Sequence, residues 1–163
     1  MQSLKAALPV EISQAIDSLN SLNLQEIRLR TDRPTTVLYY GKKYFLSANG
    51  ITADVKNAIS VSYKDMENFV MTACQHSLHS FAEQLSKGFL AAFDGVRIGL
   101  CGTFVIENGI SVSIKEISSL NIRIPREVKG CSIDTLPHLT NPIANVLILS
   151  KPGEGKTTFL RDL

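Results

Sequence analysis

Phe89-Leu90-Ala91-Ala92-Phe93-Asp94-Gly95-Val96-Arg97-Ile98-Gly99-Leu100, with the segments that follow it, decides how this chain folds. Phe89 to Phe93 is apolar, Asp94-Gly95 is a two-residue turn signal, and Val96, Ile98 and Leu100 alternate with Arg97 and Gly99. Thr103 to Ile106 and Ile110 to Ile114 then flank Asn108-Gly109, a dipeptide that tolerates the positive φ angles of a type I′ turn. Residues 89–114 are therefore expected to form an antiparallel meander. Ser118-Ser119-Leu120-Asn121-Ile122-Arg123-Ile124 alternates once more before Pro125.

Upstream, Glu26-Ile27-Arg28-Leu29-Arg30 alternates strictly, the period of a strand with one face buried and one wet, and places Arg28 and Arg30 on the outer face. Thr36 to Tyr40 and Tyr44 to Leu46 are β-prone and surround Gly41-Lys42-Lys43, which predicts a hairpin. Ile12, Ile16 and Leu19 recur behind Pro9 at spacings of four and three, the pattern of a short helix from Pro9 to about Asn20. Ser62 stands three residues before Asp65 as in a capping box, and Met66, Phe69, Val70 and Ala73 follow at helical spacing, with an end expected near Gln75 or His76. A further short helix is expected from Ser80 to Lys87, closed by Gly88.

Composition sets limits on function. The 163 residues are 44% hydrophobic and 20% charged, with a net charge of +2 that divides evenly along the chain, so charge does not point to nucleic acid. No apolar run approaches the roughly 20 residues of a membrane helix. Cys74, Cys101 and Cys131 form an odd set without a C-x-x-C pair, which argues against a disulfide framework or structural zinc and reads as buried thiols. His76 and His79 lack a carboxylate or Cys at ligand spacing, so no metal is assigned to them. Cytosolic residence is the expectation.

Beyond Pro125 the stretch to Pro142 carries Gly130, Pro137 and Asn141 and reads as a connector with little regular structure. The apolar run Val146-Leu147-Ile148-Leu149 then has the pattern of a parallel strand buried on both faces. It leads directly into Ser150-Lys151-Pro152-Gly153-Glu154-Gly155-Lys156-Thr157-Thr158 and a helix start at Phe159-Leu160-Arg161. This is the Walker A arrangement. Glycines let backbone N–H groups converge on phosphates at a helix start, Lys156 would reach the β- and γ-phosphate oxygens of ATP, and the Thr157 hydroxyl would coordinate Mg²⁺. Thr158 is placed to touch the α-phosphate. Ser150 replaces the usual opening glycine, and Glu154 is tolerable beside phosphates only if its carboxylate points to solvent. Residues 1–163 contain no Walker B strand, so the chain is expected to be part of a longer ATPase, hydrolysis by these residues alone is not expected, and no catalytic residue is assigned.

Four segments together resemble the stage III sporulation protein AA family: Glu26–Arg30, Val96-Arg97-Ile98-Gly99-Leu100-Cys101-Gly102, Ser118 to Glu127, and the Walker A segment. Pro125 departs from the alanine expected before the second arginine. The resemblance implies kinship with the ATPases of type II and type IV secretion. It implies an α+β N-terminal domain over residues 1–140, with antiparallel strands and a few helices, and over 141–163 the first strand, P-loop and helix start of a RecA-like α/β ATPase domain. Also implied are a homo-oligomer, a hexamer for the full-length family, the cofactors ATP and Mg, and sporulation-channel membrane proteins as partners. The setting the resemblance implies is the mother-cell cytosol, at the membrane face of the channel joining mother cell and forespore. Arg123 and Arg126 are candidates for phosphate sensing, set against strand arginines paired with Glu127 or a neighbour.

Two other readings stand beside the motor. Residues 1 to about 140 could serve nucleotide-independent oligomerisation or docking through Tyr39, Tyr40, Tyr44 and Phe45, of which at least two are expected to fill the core. Single-stranded nucleic acid could stack on Tyr39 and Tyr40 near Arg28, Arg30 and Arg33, but the near-neutral charge supplies little of the electrostatics, and stable nucleic-acid binding is not expected.

Overall fold

The computed structural model describes all residues except Asp94, 126–128, 141–144, 152–153 and the side chain of Thr140. The chain is α+β and divides into two compact units, Met1–Pro125 and Arg126–Leu163.

The first unit is built on a seven-stranded antiparallel sheet. Its strands are β1 (Leu24–Arg30), β2 (Thr36–Tyr39), β3 (Lys42–Ser47), β4 (Gly50–Thr52), β5 (Phe89–Ala92), β6 (Val96–Glu107) and β7 (Ile110–Arg123), in the order β4-β3-β2-β1-β7-β6-β5. Helices α1 (Gln2–Ala7), α2 (Val10–Asp17), α3 (Tyr63–Ala73) and α4 (Ala82–Ser86) complete the unit.

Alternation in the strands becomes two unlike faces. Val37, Ile27, Ile122, Ile98 and Leu90 lie side by side in register across five strands, and all five are buried. Leu29, Leu120 and Leu100 form a second buried row. Ile12 and Ile16 of α2 and Met66, Phe69 and Val70 of α3 join them in one core. The opposite face carries Glu26, Arg28 and Arg30 on β1, Arg123 on β7 and Arg97 on β6, because residues directly opposite in an antiparallel pair share a face.

Turns and caps follow local chemistry. Tyr40 and Gly41 between β2 and β3, and Asn108 and Gly109 between β6 and β7, all have positive φ, as type I′ turns require. The helix α3 starts in a complete capping box: Asp65 N–H donates to Ser62 Oγ at 3.2 Å and Ser62 N–H to the Asp65 carboxylate at 2.9 Å. Gly88, at φ +74°, follows α4 as expected.

Several expectations change in the structure. The segments Val96–Leu100 and Thr103–Ile106 are one strand, and Ile110–Ile114 and Ser118–Arg123 are joined in another. The joint is a bulge at Gly102, where a Cβ would lie 2.6 Å from the Lys115 carbonyl oxygen. Cys101 pairs with Ser119 but Thr103 with Lys115, so the register shifts there and residues 116–118 of β7 stand opposite Gly102 within one continuous strand. The predicted helix Ser80–Lys87 is a 3₁₀ turn, Leu78–Phe81, followed by the shorter α4. Only Cys74 is buried, and burial raises its thiol pKa; Cys101 and Cys131 are exposed. Tyr39 and Tyr44 pack against the core, while Tyr40 is 67% exposed. The expected turn at Asp94-Gly95 falls partly outside the described residues.

The second unit contains α5 (Leu136–Thr140) and α6 (Lys156–Asp162). Val146–Leu149, expected as a buried strand, is not a strand. Leu147 is 80% and Leu149 81% exposed, and among the described residues no strand pairs with them. An apolar run becomes a buried strand only when neighbouring strands supply its ladder. No helix among the described residues is long and apolar enough to cross a membrane.

Candidate functional site

The loop Ser150–Thr158 turns into α6 at Gly155, whose φ of +90° is a left-handed conformation that a side chain disfavours. Helix α6 begins at Lys156, with Phe159 N–H donating to the Gly155 carbonyl at 2.9 Å. The Lys156 ammonium folds over the loop. Its Nζ donates to the Ser150 carbonyl at 2.7 Å, to Ser150 Oγ at 3.0 Å and to the Lys151 carbonyl at 3.1 Å. Three neutral oxygens thus hold a charge that can move to anionic oxygens without losing hydrogen-bond count.

Glu154 is exposed, and its carboxylate accepts the Lys151 N–H at 2.9 Å. The solvent-facing position expected of this residue is present, and the carboxylate also occupies one backbone donor of the loop. Thr157 is exposed and Thr158 half-buried on the first turn of α6. Pro152 and Gly153 lie outside the described residues. Beside the loop a shallow cavity of about 400 Å³ is lined by Val146, Ile148, Glu154, Lys156 and Phe159, among others.

The far end of α6 is tied down by Asp162. Its carboxylate accepts N–H groups of Gly130 and Ser132, each at 2.8 Å, and the Ser132 hydroxyl at 2.9 Å. A carboxylate at a helix C-terminus meets an unfavourable dipole. The backbone donors of Ser132 and Gly130 outweigh it and hold the Asp162 pKa down to about 2.

In the first unit, Arg123 ends β7 with its side chain 73% exposed. Among the described residues its ionic partner is Glu26, at 3.9 Å from Nε; Arg126 and Glu127 lie outside the described residues. Arg28 also bonds Glu26 through Nε. Glu26 was hidden from sequence reasoning: strict alternation puts it on the wet face, yet it is 6% exposed. The available signal was the Glu-x-Arg spacing, which sets an acid and a base on one face of a strand.

A family model described as sporulation stage III, protein AA, matches residues 4–163. Stage III sporulation protein AA of Bacillus subtilis (strain 168) is 32% identical over 167 residues, covering all of this chain and 51% of that protein. The chain therefore spans about half the length of the curated relative it matches. The X-ray structure of the Legionella pneumophila ATPase DotB superposes with a TM-score of 0.50 at 18% identity, covering 95% of this chain and 41% of that one. The VirB11 ATPase from the Brucella suis type IV secretion system, solved in complex with sulphate, gives a TM-score of 0.46 at 14% identity, covering 98% and 43%. The likeness to DotB is one of fold.

Proposed function

The chain belongs to the sporulation stage III protein AA family, and from that premise we propose that it is the nucleotide-binding front part of a P-loop motor ATPase. The supporting observation is the Lys156 ammonium held over its own loop by three oxygens at 2.7–3.1 Å. When Mg·ATP binds, Lys156 exchanges those acceptors for β- and γ-phosphate oxygens, Thr157 contributes its hydroxyl to the metal, and Thr158 contacts the α-phosphate. Ser150, Lys151, Pro152, Gly153, Glu154 and Gly155 form the loop around them. Bound Mg²⁺ supplies charge neutralisation between the phosphates.

Arg123 and Arg126 belong to the proposal as phosphate contacts. Arg123 suits the role because its planar, permanently charged fork is exposed at a strand end. So do assembly into a homo-oligomeric ring, a place in the mother-cell cytosol, and a partnership with sporulation-channel membrane proteins that the motor energises or assembles. The proposed division of labour gives residues 1–140 to docking and 141–163 to nucleotide.

Titration of Mg·ATP onto the protein tests the reading. Lys156→Ala removes the charged hydrogen bonds to phosphate and should weaken binding about a hundredfold. Unchanged affinity would overturn the P-loop assignment.

A second reading, nucleotide-independent docking, is favoured by exposed apolar side chains in the first unit. Ile106 is 58% and Ile110 68% exposed beside the β6–β7 turn, and Tyr40 stands exposed at the first hairpin. Association that persists without nucleotide and fails in an Ile106→Ser/Ile110→Ser variant supports it; association that requires ATP refutes it.

A further inference from the structure

We infer that the groove between α3 and β7 docks an amphipathic segment of a partner protein, one that presents apolar side chains at helical spacing beside a Lys or Arg. The inference rests on the docking role proposed for residues 1–140, gives that role a surface, and is independent of the nucleotide reading.

The groove has a volume of about 600 Å³ and lies wholly within Met1–Pro125. Its floor is ordinary core, with Val70, Leu85 and Ile117 buried beneath it. Its rim is different: Leu78 on the 3₁₀ turn and Val112 on β7 are apolar and exposed. Water against such walls is released when apolar side chains enter. Along α3 the lining residues Tyr63, Glu67, Val70 and Met71 form one stripe, about two turns or roughly 12 Å long. The groove is open to solvent along its side, which suits a length of helix laid into it.

One end of the groove is acidic. A hydrogen bond to Glu67, and the charges of Glu67 and Glu116 beside it, raise the pKa of Tyr63, so the three side chains converge there. Glu116 reaches this place through the bulge opposite Gly102. Its φ of +47° is a left-handed conformation that strains a residue with a side chain, and its carboxylate accepts the Thr103 hydroxyl at 2.9 Å. Among the described residues neither Glu67 nor Glu116 has an ionic partner. Lys115 and His79 also line the groove, and neither forms an ion pair with these carboxylates. Two carboxylates without a cation, at the end of an apolar trough, favour a segment whose positive charge adjoins its apolar residues.

The test selects random peptides of about 15 residues, long enough for several helical turns, by phage display on the intact protein. The enriched peptides are then synthesised, labelled and titrated. They should carry apolar residues three or four apart with an adjoining Lys or Arg. Leu78→Ser/Val112→Ser should weaken their binding about thirtyfold, and Glu67→Gln/Glu116→Gln about fivefold. Replacing the peptide's base by Ala should cost the same fivefold or so in the parent and nothing further in Glu67→Gln/Glu116→Gln. Should Val112→Ser disturb the sheet, Leu78→Ser alone carries an expected loss of about fivefold. Enriched peptides that lack a base, or that bind these variants as tightly as the parent, would overturn the inference. Peptides that lose binding only in Ile106→Ser/Ile110→Ser would leave docking by residues 1–140 standing and sink the groove; no enrichment at all would sink both. A parent that self-associates and becomes monomeric in Leu78→Ser/Val112→Ser would give the groove to a second copy and overturn the partner assignment.

Discussion

The two units of this chain treat their apolar residues in opposite ways. In Met1–Pro125, Ile27, Ile98 and Ile122 lie in one row, each with a strand partner and each fully buried. In Arg126–Leu163, Leu147 and Leu149 belong to an equally apolar run and stand about four-fifths exposed. Hydrophobicity is similar in the two places, and the difference lies in what accompanies it. A strand is stable when neighbours satisfy its backbone and cover its faces, so the same residue type contributes heavily in one unit and little in the other.

That contrast can be broken by mutation. Phe69, fully buried between α3 and the sheet, should cost about 3–5 kcal/mol on truncation to Ala, read as a lowered urea midpoint. A loss below about 1 kcal/mol would mean the core is far looser than the sheet register implies. Removing the α3 capping box with Ser62→Ala should cost about 1 kcal/mol in the same assay. Leu149→Ala should fall within about 0.5 kcal/mol of the parent, and a core-sized loss there would show that Val146–Leu149 is buried in solution.

Acid sharpens the comparison from the other side. The folded pKa of Asp162 lies near 2, below its ordinary 3.8. Its contribution is therefore present above pH 3.8 and is lost as pH falls through about 2. The amide resonances of Gly130 and Ser132 should shift across that window in the parent and stay still in Asp162→Asn. Movement centred above pH 4 would contradict the tether.

Much of the first unit was legible because local and non-local preferences agree there. Asn108-Gly109 dictates its turn, Ser62 and Asp65 dictate a cap, and the alternation in Glu26–Arg30 gives the two faces of β1. The helix α1 and the three-residue β4 carry too few residues to show a period. The full lengths of β6 and β7 were hidden because the bulge opposite Gly102 shifts both the register and the alternation of β7 inside one continuous strand.

The candidate site was legible in part for a similar reason. Lys156 and Thr157 are read from a linear motif, whereas Glu26 acquires its meaning only when β7 brings Arg123 across from nearly a hundred residues away. Val146–Leu149 carries the pattern of a buried strand and yet stands exposed, because apolarity reports a tendency to be covered and not the presence of a cover.

Amide hydrogen exchange, followed with and without Mg·ATP, tests the account most directly. Without nucleotide, Ile98, Leu120 and Ile122 should be strongly protected and Leu147 and Ile148 weakly. Addition of Mg·ATP should slow exchange at Lys151, Gly155 and Lys156. Unchanged exchange across the loop at saturating nucleotide, or strong protection of Leu147 and Ile148 without it, would contradict the account.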